Sequence, residues 1–380
     1  MQYIGLFNDS YPPIIDGVAI TVQNYAKWMQ LQGKEVCVVT PKAPDYTDID
    51  PFPVYRYPSL PLINRKPYRL GLPDIDIAFQ SKLEKIPFSL VHAHCPFTSG
   101  LLALKIAKER KIPLVATFHT KYRDNFEQTF HSKRIVDLMI KELVHFYNHA
   151  SEVWIPQESV EETLREYGYK GKLVVMNNGN DFCTDKQPEI LKKEARVKLG
   201  IPDDEMVLLY VGQLVWEKNL RLIIDALSKT ENLKFRMYFV GTGYAENDLK
   251  LLAENQQLSS FIKFPGLISD RQLLQDYYAA ADLFIFPSLY DTWALVVREA
   301  AALYTPSIML RKSTAAQDIK HQFNGFLIDE SPEALSKTLT ELSGNKELVR
   351  EVGINAAGTL TKSWEKIVEE VCGRYDLLTK

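Results

Sequence analysis

Short apolar runs alternate with longer helix-like stretches along almost the whole chain. In the first half the runs predict strands at Tyr3–Phe7, Glu35–Thr40, Ser89–Ala93, Pro113–Phe118, Val153–Pro156 and Lys172–Asn177. Helical segments such as Ala19–Leu31, Leu101–Lys108 and Lys133–His149 fall between them. The second half repeats the arrangement, with strands at Val207–Val211, Lys234–Val240, Ile262–Phe264, Leu283–Phe286 and Ser307–Leu310. Strands alternating with helices are the pattern of parallel βαβ units, so the expected fold class is α/β. Residues 178–202 are polar and carry few large apolar side chains, which puts a linker near Asp181–Gln187. Two similar halves joined by a linker would leave a cleft between them, the usual place for a ligand. A last amphipathic segment, Ser363–Val371, reads as a helix; a simple C-terminal cap is its plainest role.

Composition narrows the classes. The chain has 380 residues, 46% of them hydrophobic, enough for two ordinary domains with ample cores. A net charge of −3 offers no basic field for nucleic acid. Cys37, Cys95, Cys183 and Cys372 are scattered without a C-x-x-C pair, which suits buried thiols in a reducing compartment better than disulfides or zinc. Met1 leads directly into a strand-like segment, and no apolar run is long enough to span a bilayer. The expectation is a cytoplasmic protein, soluble or peripheral on the inner face of a membrane.

Chemistry concentrates where strands end. Leu283–Phe286 reads as a buried strand, Pro287-Ser288 breaks it, and Leu295–Leu303 reads as a helix. This strand–loop–helix unit carries Asp291 in its loop and Glu299 on its helix. Ligands of open α/β sheets bind at the carboxyl ends of strands, so two such carboxylates could grip different hydroxyls of one ligand. A surface loop before an amphipathic helix would carry the same residues by chance. Asp16-Gly17-Val18-Ala19 follows the first strand, and Gly17 at a helix start lets a polar group approach backbone N–H donors. His92-Ala93-His94 ends another strand; alternate residues share a face, and no nearby acid or third His completes a site, so a metal is discounted. Thr117-Phe118-His119-Thr120-Lys121-Tyr122 ends the next, where His119 could hydrogen-bond a hydroxyl or polarise it. Gly212-Gln213-Leu214 with Glu217-Lys218-Asn219 follows Val207–Val211, and Gly241-Thr242-Gly243 follows Lys234–Val240 as a weak, incomplete dinucleotide fingerprint. Asp48-Ile49-Asp50 and Asp74-Ile75-Asp76 lie beside prolines and read as turn and helix-cap acids, so no metal is required.

Taken together these motifs resemble the family-4 retaining glycosyltransferases of the GT-B fold, two facing Rossmann-like domains with an inter-domain cleft. The Tyr-x-Pro-x-x-x-Gly-Val-Ala and Thr-Phe-His-Thr-x-Tyr strings look most like the branch that glycosylates diacylglycerol or phosphatidylinositol. The resemblance implies an acceptor-binding domain over residues 1–182, a nucleotide-sugar domain over 183–362, and a C-terminal helix, 363–380, packing back on the first. It implies transfer of a hexose from a UDP- or GDP-sugar to a hydroxyl on a lipid or glycan, with no cofactor beyond the donor substrate and no obligatory metal. By position, Lys218 would hold the diphosphate beside Gln213, Asp291 the sugar, and Glu299 the ribose. Gly241 and Gly266 would lie beside the nucleotide, and Thr292, Trp293, Ala294 and Leu295 would form the donor loop. Gly17 would face donor phosphates and acceptor, with His119 on the donor sugar and also, with Asp16 and Tyr122, toward the acceptor. Arg65-Lys66-Pro67-Tyr68-Arg69 and Lys133–His149 could touch an anionic membrane surface.

The chain departs from the pattern at four points. Asp291 stands for a Glu, Gln213 for an Arg, and Thr292-Trp293-Ala294 for Gly-Phe-Gly, which removes backbone freedom from the loop. Arg298 is an unusual cation beside Glu299. These changes motivate an alternative, a nucleotide-sugar-binding partner of the same fold that has lost turnover. A nicotinamide dehydrogenase, based on Gly241-Thr242-Gly243, lacks the full fingerprint.

Overall fold

The computed structural model describes residues 2–62, 67–130, 132–182, 184–230, 233–289 and 291–380. Two compact units emerge: Met1–Gly179 with Trp364–Lys380, and Asn180–Ser363.

In the first unit the strands are β1 (Tyr3–Phe7), β2 (Val36–Pro41), β3 (Val54–Tyr57), β4 (Ser59–Pro61), β5 (Arg69–Gly71), β6 (Phe88–Ala93), β7 (Leu114–Thr117), β8 (Glu152–Ile155) and β9 (Leu173–Val175). Seven of them form one sheet in the order β3-β2-β1-β6-β7-β8-β9, and every pairing is parallel. β4 and β5 pair antiparallel beside it. Strand order reverses between β1 and β6, the point where loops diverge and leave room for a ligand. Asp9 stitches this point: its carboxylate accepts from the Ser99 backbone N–H and hydroxyl, both at 2.9 Å, and from Tyr57 at 3.1 Å.

The second unit contains β10 (Met206–Val211), β11 (Phe235–Val240), β12 (Ile262–Gly266), β13 (Leu283–Phe286), β14 (Ser307–Leu310) and β15 (Phe326–Ile328). They form one parallel sheet ordered β12-β11-β10-β13-β14-β15, reversing between β10 and β13. Both units are therefore α/β with Rossmann-like winding. Continuous burial of β13 and β14, rather than alternation, follows from helices covering both sheet faces.

Every strand read from the apolar runs is present. The sequence reading passed over the short pair β4 and β5 and, in the two large sheets, β3 and β15. β3 lies at a sheet edge, flanked by Pro53 and Pro58 and carrying Arg56, which masks its apolar signal. β15 is a three-residue edge strand, too short to show a period. The segment Asp181–Gln187 is less loose than its composition suggests. Phe182 is buried in the second core and packs against Tyr278 at 5.8 Å. Cys183 lies outside the described residues; Cys37, Cys95 and Cys372 are buried free thiols.

The C-terminal helix runs from Trp364 to Leu378 and belongs to the first unit. It buries Trp364, Ile367, Val368, Val371, Cys372 and Tyr375. Tyr25, on the helix Gly17–Leu31, meets Trp364 edge-on at 6.0 Å, and Tyr375 stacks on Trp154 of β8 at 5.4 Å. A side chain at Gly179 would put its Cβ 2.6 Å from the Trp364 backbone, so only glycine fits there.

Candidate functional site

In the second unit the candidate donor residues converge on the carboxyl ends of β10 and β13. Lys218 closes a short turn, Trp216–Lys218, after β10. Its ammonium lies 2.5 Å from Asp291 Oδ1, in the loop after β13, and both side chains are mostly buried. The other oxygen, Asp291 Oδ2, is buried without a hydrogen-bond partner. Glu299 sits on the helix Leu295–Ala302, only 6% exposed. Its two oxygens are divided between the Arg271 guanidinium at 2.9 Å and the Tyr278 hydroxyl at 2.8 Å. Arg271 also approaches Asp181 at 3.5 Å and lies over the Phe182 ring at 4.2 Å. Sequence reasoning missed Arg271 and Tyr278. They come from a helix, Arg271–Ala280, that no motif marked. Gln213 is exposed at the end of β10, its carbonyl accepting from Tyr210 at 2.9 Å.

Arg298 does not join this group. It is 2% exposed and donates to the Trp293 carbonyl at 2.9 Å and the Ala315 carbonyl at 3.2 Å, while pairing with Asp318 at 3.1 Å. Its guanidinium stacks over the Trp293 indole at 4.2 Å, and burial pulls its pKa down to about 10. The unusual cation is thus a clamp on the loop 291–294. Within that loop Ala294 has φ 52° and ψ 75°, the left-handed conformation in which glycine is at ease. The lost glycine has not abolished the turn. It has made the turn cost more, and the Arg298 clamp offsets the cost. Leu295 then opens the helix, where the first-turn N–H groups have no intrahelical partner.

The glycines of the neighbouring loops are dictated by backbone packing. A Cβ on Gly241, at φ 136°, would lie 1.9 Å from the Gly212 carbonyl oxygen, and one on Gly243 2.2 Å from that of Leu214. Gly241 N–H donates to the Gly266 carbonyl at 2.9 Å, which locks three strand ends together. The incomplete fingerprint is accounted for by this contact.

In the first unit Asp16 caps the helix Gly17–Leu31, accepting from Val18 N–H at 3.0 Å and Ala19 N–H at 2.8 Å. Burial raises its carboxyl above the usual range. Gly17 is exposed as the first helical residue. Tyr122 is buried among Phe97, Phe118 and Phe126, with ring centroids at 5.4, 5.6 and 6.1 Å. His119 follows β7 and lies beside His94, the Nε2 of one 3.1 Å from the Nδ1 of the other. A third imidazole is therefore near the His-x-His pair after all. The strands β6 and β7 are adjacent in the sheet though His94 and His119 are far apart in sequence. His92 stacks on His94 at 3.9 Å and is held by Tyr375 at 2.5 Å and Thr117 at 2.7 Å. Burial drives all three rings well below the usual imidazole range, His119 to about 3. Among the described residues no group of His, Cys, Asp or Glu is arranged to hold a metal ion. Asp76 accepts from Phe79 N–H at 2.9 Å as a helix cap, and Asp48 pairs with Arg56 at 2.7 Å.

Two Rossmann-like units, each built on a parallel sheet with loops gathered at its switch point, are consistent with the GT-B fold. Sucrose-phosphate synthase from Thermosynechococcus elongatus has the same fold, with a TM-score of 0.83 at 20% identity over 100% of this chain and 99% of that one. So does HepE from Anabaena, solved in complex with UDP-glucose, with a TM-score of 0.78 at 19% identity over the whole of both chains. The family description Glycosyltransferase Family 4 matches residues 15–182, and Glycosyl transferases group 1 matches residues 192–359. Alpha-monoglucosyldiacylglycerol synthase of Streptococcus pneumoniae is 33% identical over 315 residues, 80% of this chain and 70% of the relative. The synthase of the same name from Acholeplasma laidlawii is 27% identical over 382 residues, 95% of this chain and 91% of the relative. The chain belongs to the family-4 glycosyltransferases of the GT-B fold, and it is a glycosyltransferase enzyme.

Proposed function

We propose that the protein is a retaining hexosyltransferase that moves a hexose from a UDP- or GDP-sugar to a hydroxyl on a lipid or glycan. The observation that carries this reading is the Lys218–Asp291 pair at 2.5 Å beside the switch point of the second sheet. A cation and a carboxylate at adjacent strand ends suit a donor with a charged diphosphate and a hydroxylated ring. Lys218 stabilises charge growing on the leaving diphosphate, together with the N–H groups at Leu295. Asp291 accepts from the sugar hydroxyls and Glu299 from the ribose, and His119, at the end of β7, is read as a sugar contact. Gly17 and Asp16 with Tyr122 belong to the acceptor side, and Gln213, Gly241, Gly266 and Thr292–Ala294 to the donor side. No metal is required, because Lys218 and backbone donors supply the positive field. Catalysis then consists of positioning and charge stabilisation.

A diacylglycerol-type acceptor is supported by the relatives, whose name is alpha-monoglucosyldiacylglycerol synthase. The helix Lys133–Tyr147 supports a peripheral contact with an anionic membrane on the cytoplasmic side. It exposes Ile135 at 46% and Leu138 at 60% beside exposed Lys133, Arg134 and Lys141. Of the other basic candidates, Arg65 and Lys66 lie outside the described residues, and Arg69 donates to the Ser59 hydroxyl at 2.7 Å. No helix among the described residues is long and apolar enough to cross a membrane.

The test is a thermal-shift panel of UDP-, GDP- and ADP-sugars on the wild type and Glu299→Ala. One donor should stabilise the wild type and lose its effect in the variant. Transfer to diacylglycerol in mixed micelles, with the product anomer read by NMR, then checks acceptor and stereochemistry. A donor that stabilises the protein without transfer to any acceptor would move the inactive-partner alternative ahead, and no shift with any donor would count against both readings.

A further inference from the structure

We infer that Arg56 is a positioning residue for the loop that presents Gly17, holding that loop from two strands away so that its end can receive the acceptor. The inference rests on the reading of Gly17 and Asp16 as acceptor-side residues. Arg56 lies near the end of β3, in register with Thr40 of β2, and β2 separates β3 from β1. Its guanidinium reaches past β2 to the loop that follows β1. Nη2 donates to the Pro12 carbonyl at 2.6 Å, and Nη1 to the Pro41 carbonyl at 2.9 Å. Neighbouring strands lie about 4.8 Å apart, so only a long side chain spans the gap. Pro12 and Pro13 have no backbone N–H, so this stretch of the loop cannot secure itself by donating. It can only accept, and Arg56 supplies a donor.

The guanidinium is itself fixed. Nε donates to Asp48 Oδ2 at 2.9 Å and Nη2 to Asp48 Oδ1 at 2.7 Å, a two-pronged contact that sets its plane. It lies 5.7 Å from the Tyr11 ring centroid and 5.4 Å from that of Tyr46. The Arg56 side chain is 10% exposed, so water competes little for these bonds. Beyond Pro12 the loop closes on itself. Ile14 N–H donates to the Tyr11 carbonyl at 3.1 Å, and the Ser10 hydroxyl to Asp16 Oδ1 at 3.2 Å. Asp16 in turn caps Val18 and Ala19, which sets Gly17 at the helix start. The path from Arg56 to Gly17 is therefore continuous. A lysine would carry the charge without the fork, and one ammonium cannot hold Asp48 and Pro12 in this geometry.

Hydrogen exchange read by mass spectrometry tests the tether without any activity. In Arg56→Lys the amides of residues 10–19 should exchange faster than in the parent, with those of the second unit unchanged; parental exchange in that segment overturns the inference. Transfer from the donor that stabilises the wild type to dioleoylglycerol in mixed micelles supplies the functional arm. Arg56→Lys should lower kcat/KM for the acceptor roughly ten- to a hundredfold, the scale of a misplaced reacting group, with donor affinity by calorimetry within about twofold of the parent. Asp48→Asn, which loosens Arg56 and leaves the loop residues in place, should act in the same direction and less strongly. A loss of donor affinity in step with a lowered thermal midpoint would mark a general structural role and overturn the positioning one. Parental kcat/KM in both variants, with Gly17→Ala impaired, overturns it as well. Parental kcat/KM in Gly17→Ala removes the acceptor reading, and the exchange result then decides whether Arg56 holds the loop.

Discussion

Arg271 reaches Glu299 at 2.9 Å and shares that carboxylate with the Tyr278 hydroxyl at 2.8 Å. Both oxygens of a buried carboxylate are therefore oriented from the helix Arg271–Ala280 before any ligand arrives. Arg271→Met should leave Glu299 as a buried charge held by a single hydroxyl. Because Arg271 is itself partly exposed, the cost should be about 1.5–3 kcal/mol, at the scale of one charged hydrogen bond. Urea denaturation measures it. A midpoint equal to that of the wild type would show that Arg271 does not support Glu299.

Lys218 is tied to Asp291 in the same unit. Lys218→Ala should lose about 2.7–4 kcal/mol of transition-state stabilisation, the range for removing one preorganised donor. The loss should appear in kcat with the donor that stabilises the wild type. A turnover within threefold of the parent would remove Lys218 from the chemistry. A double-mutant cycle with Asp291→Asn should be clearly non-additive, because each side chain is the other's partner.

Ala294 at φ 52° marks the loop as a left-handed turn built without glycine. Ala294→Gly should change stability by less than about 1 kcal/mol. Relief of the left-handed cost and the added freedom of the unfolded chain nearly cancel. Ala294→Val should destabilise by about 1–3 kcal/mol, since a β-branched residue is a poor fit to that conformation. Denaturation curves separate the two. Equal midpoints for Gly and Val would mean that the loop does not hold this turn in solution.

The histidine stack makes stability pH-dependent. His92, His94 and His119 have pKa values depressed in the folded state, His119 to about 3. Below about pH 6.5 the unfolded chain binds protons that the folded rings refuse. Stability should therefore be full above that value and fall on acidification, by at most about 1.4 kcal/mol per pH unit for each ring. Urea midpoints between pH 7 and pH 5 should decline, and His119→Asn should make the decline shallower. A flat profile would show that the rings are not buried neutral.

The loop 291–294 illustrates where the reading of departures from the family pattern stopped short. Replacing glycine by Ala294 suggested a loop with less freedom, and Arg298 was a cation without an assigned place. In the structure the two observations are one: Arg298 holds the Trp293 carbonyl and ring, and the turn at Ala294 survives. Likewise Gly241 and Gly243 looked like fragments of a nucleotide fingerprint. Their glycine requirement comes from the Gly212 and Leu214 carbonyls of a neighbouring loop.

Apolar runs, strand ends and glycine-bearing loops were legible in the chain because each is local. A run such as Leu283–Phe286 must be covered on both faces, and the residues that follow it must leave the sheet. That was enough for the α/β class, for the two halves, and for placing Asp291, Glu299, Lys218 and His119 where strands stop. Strand order was not local, and with it came the partners: His94 beside His119, Arg271 and Tyr278 on Glu299, and Asp9 on Ser99. Those contacts depend on which parallel strands become neighbours, and crossover helices separate such neighbours by many residues in sequence. Only the folded sheet brings them within reach of a hydrogen bond.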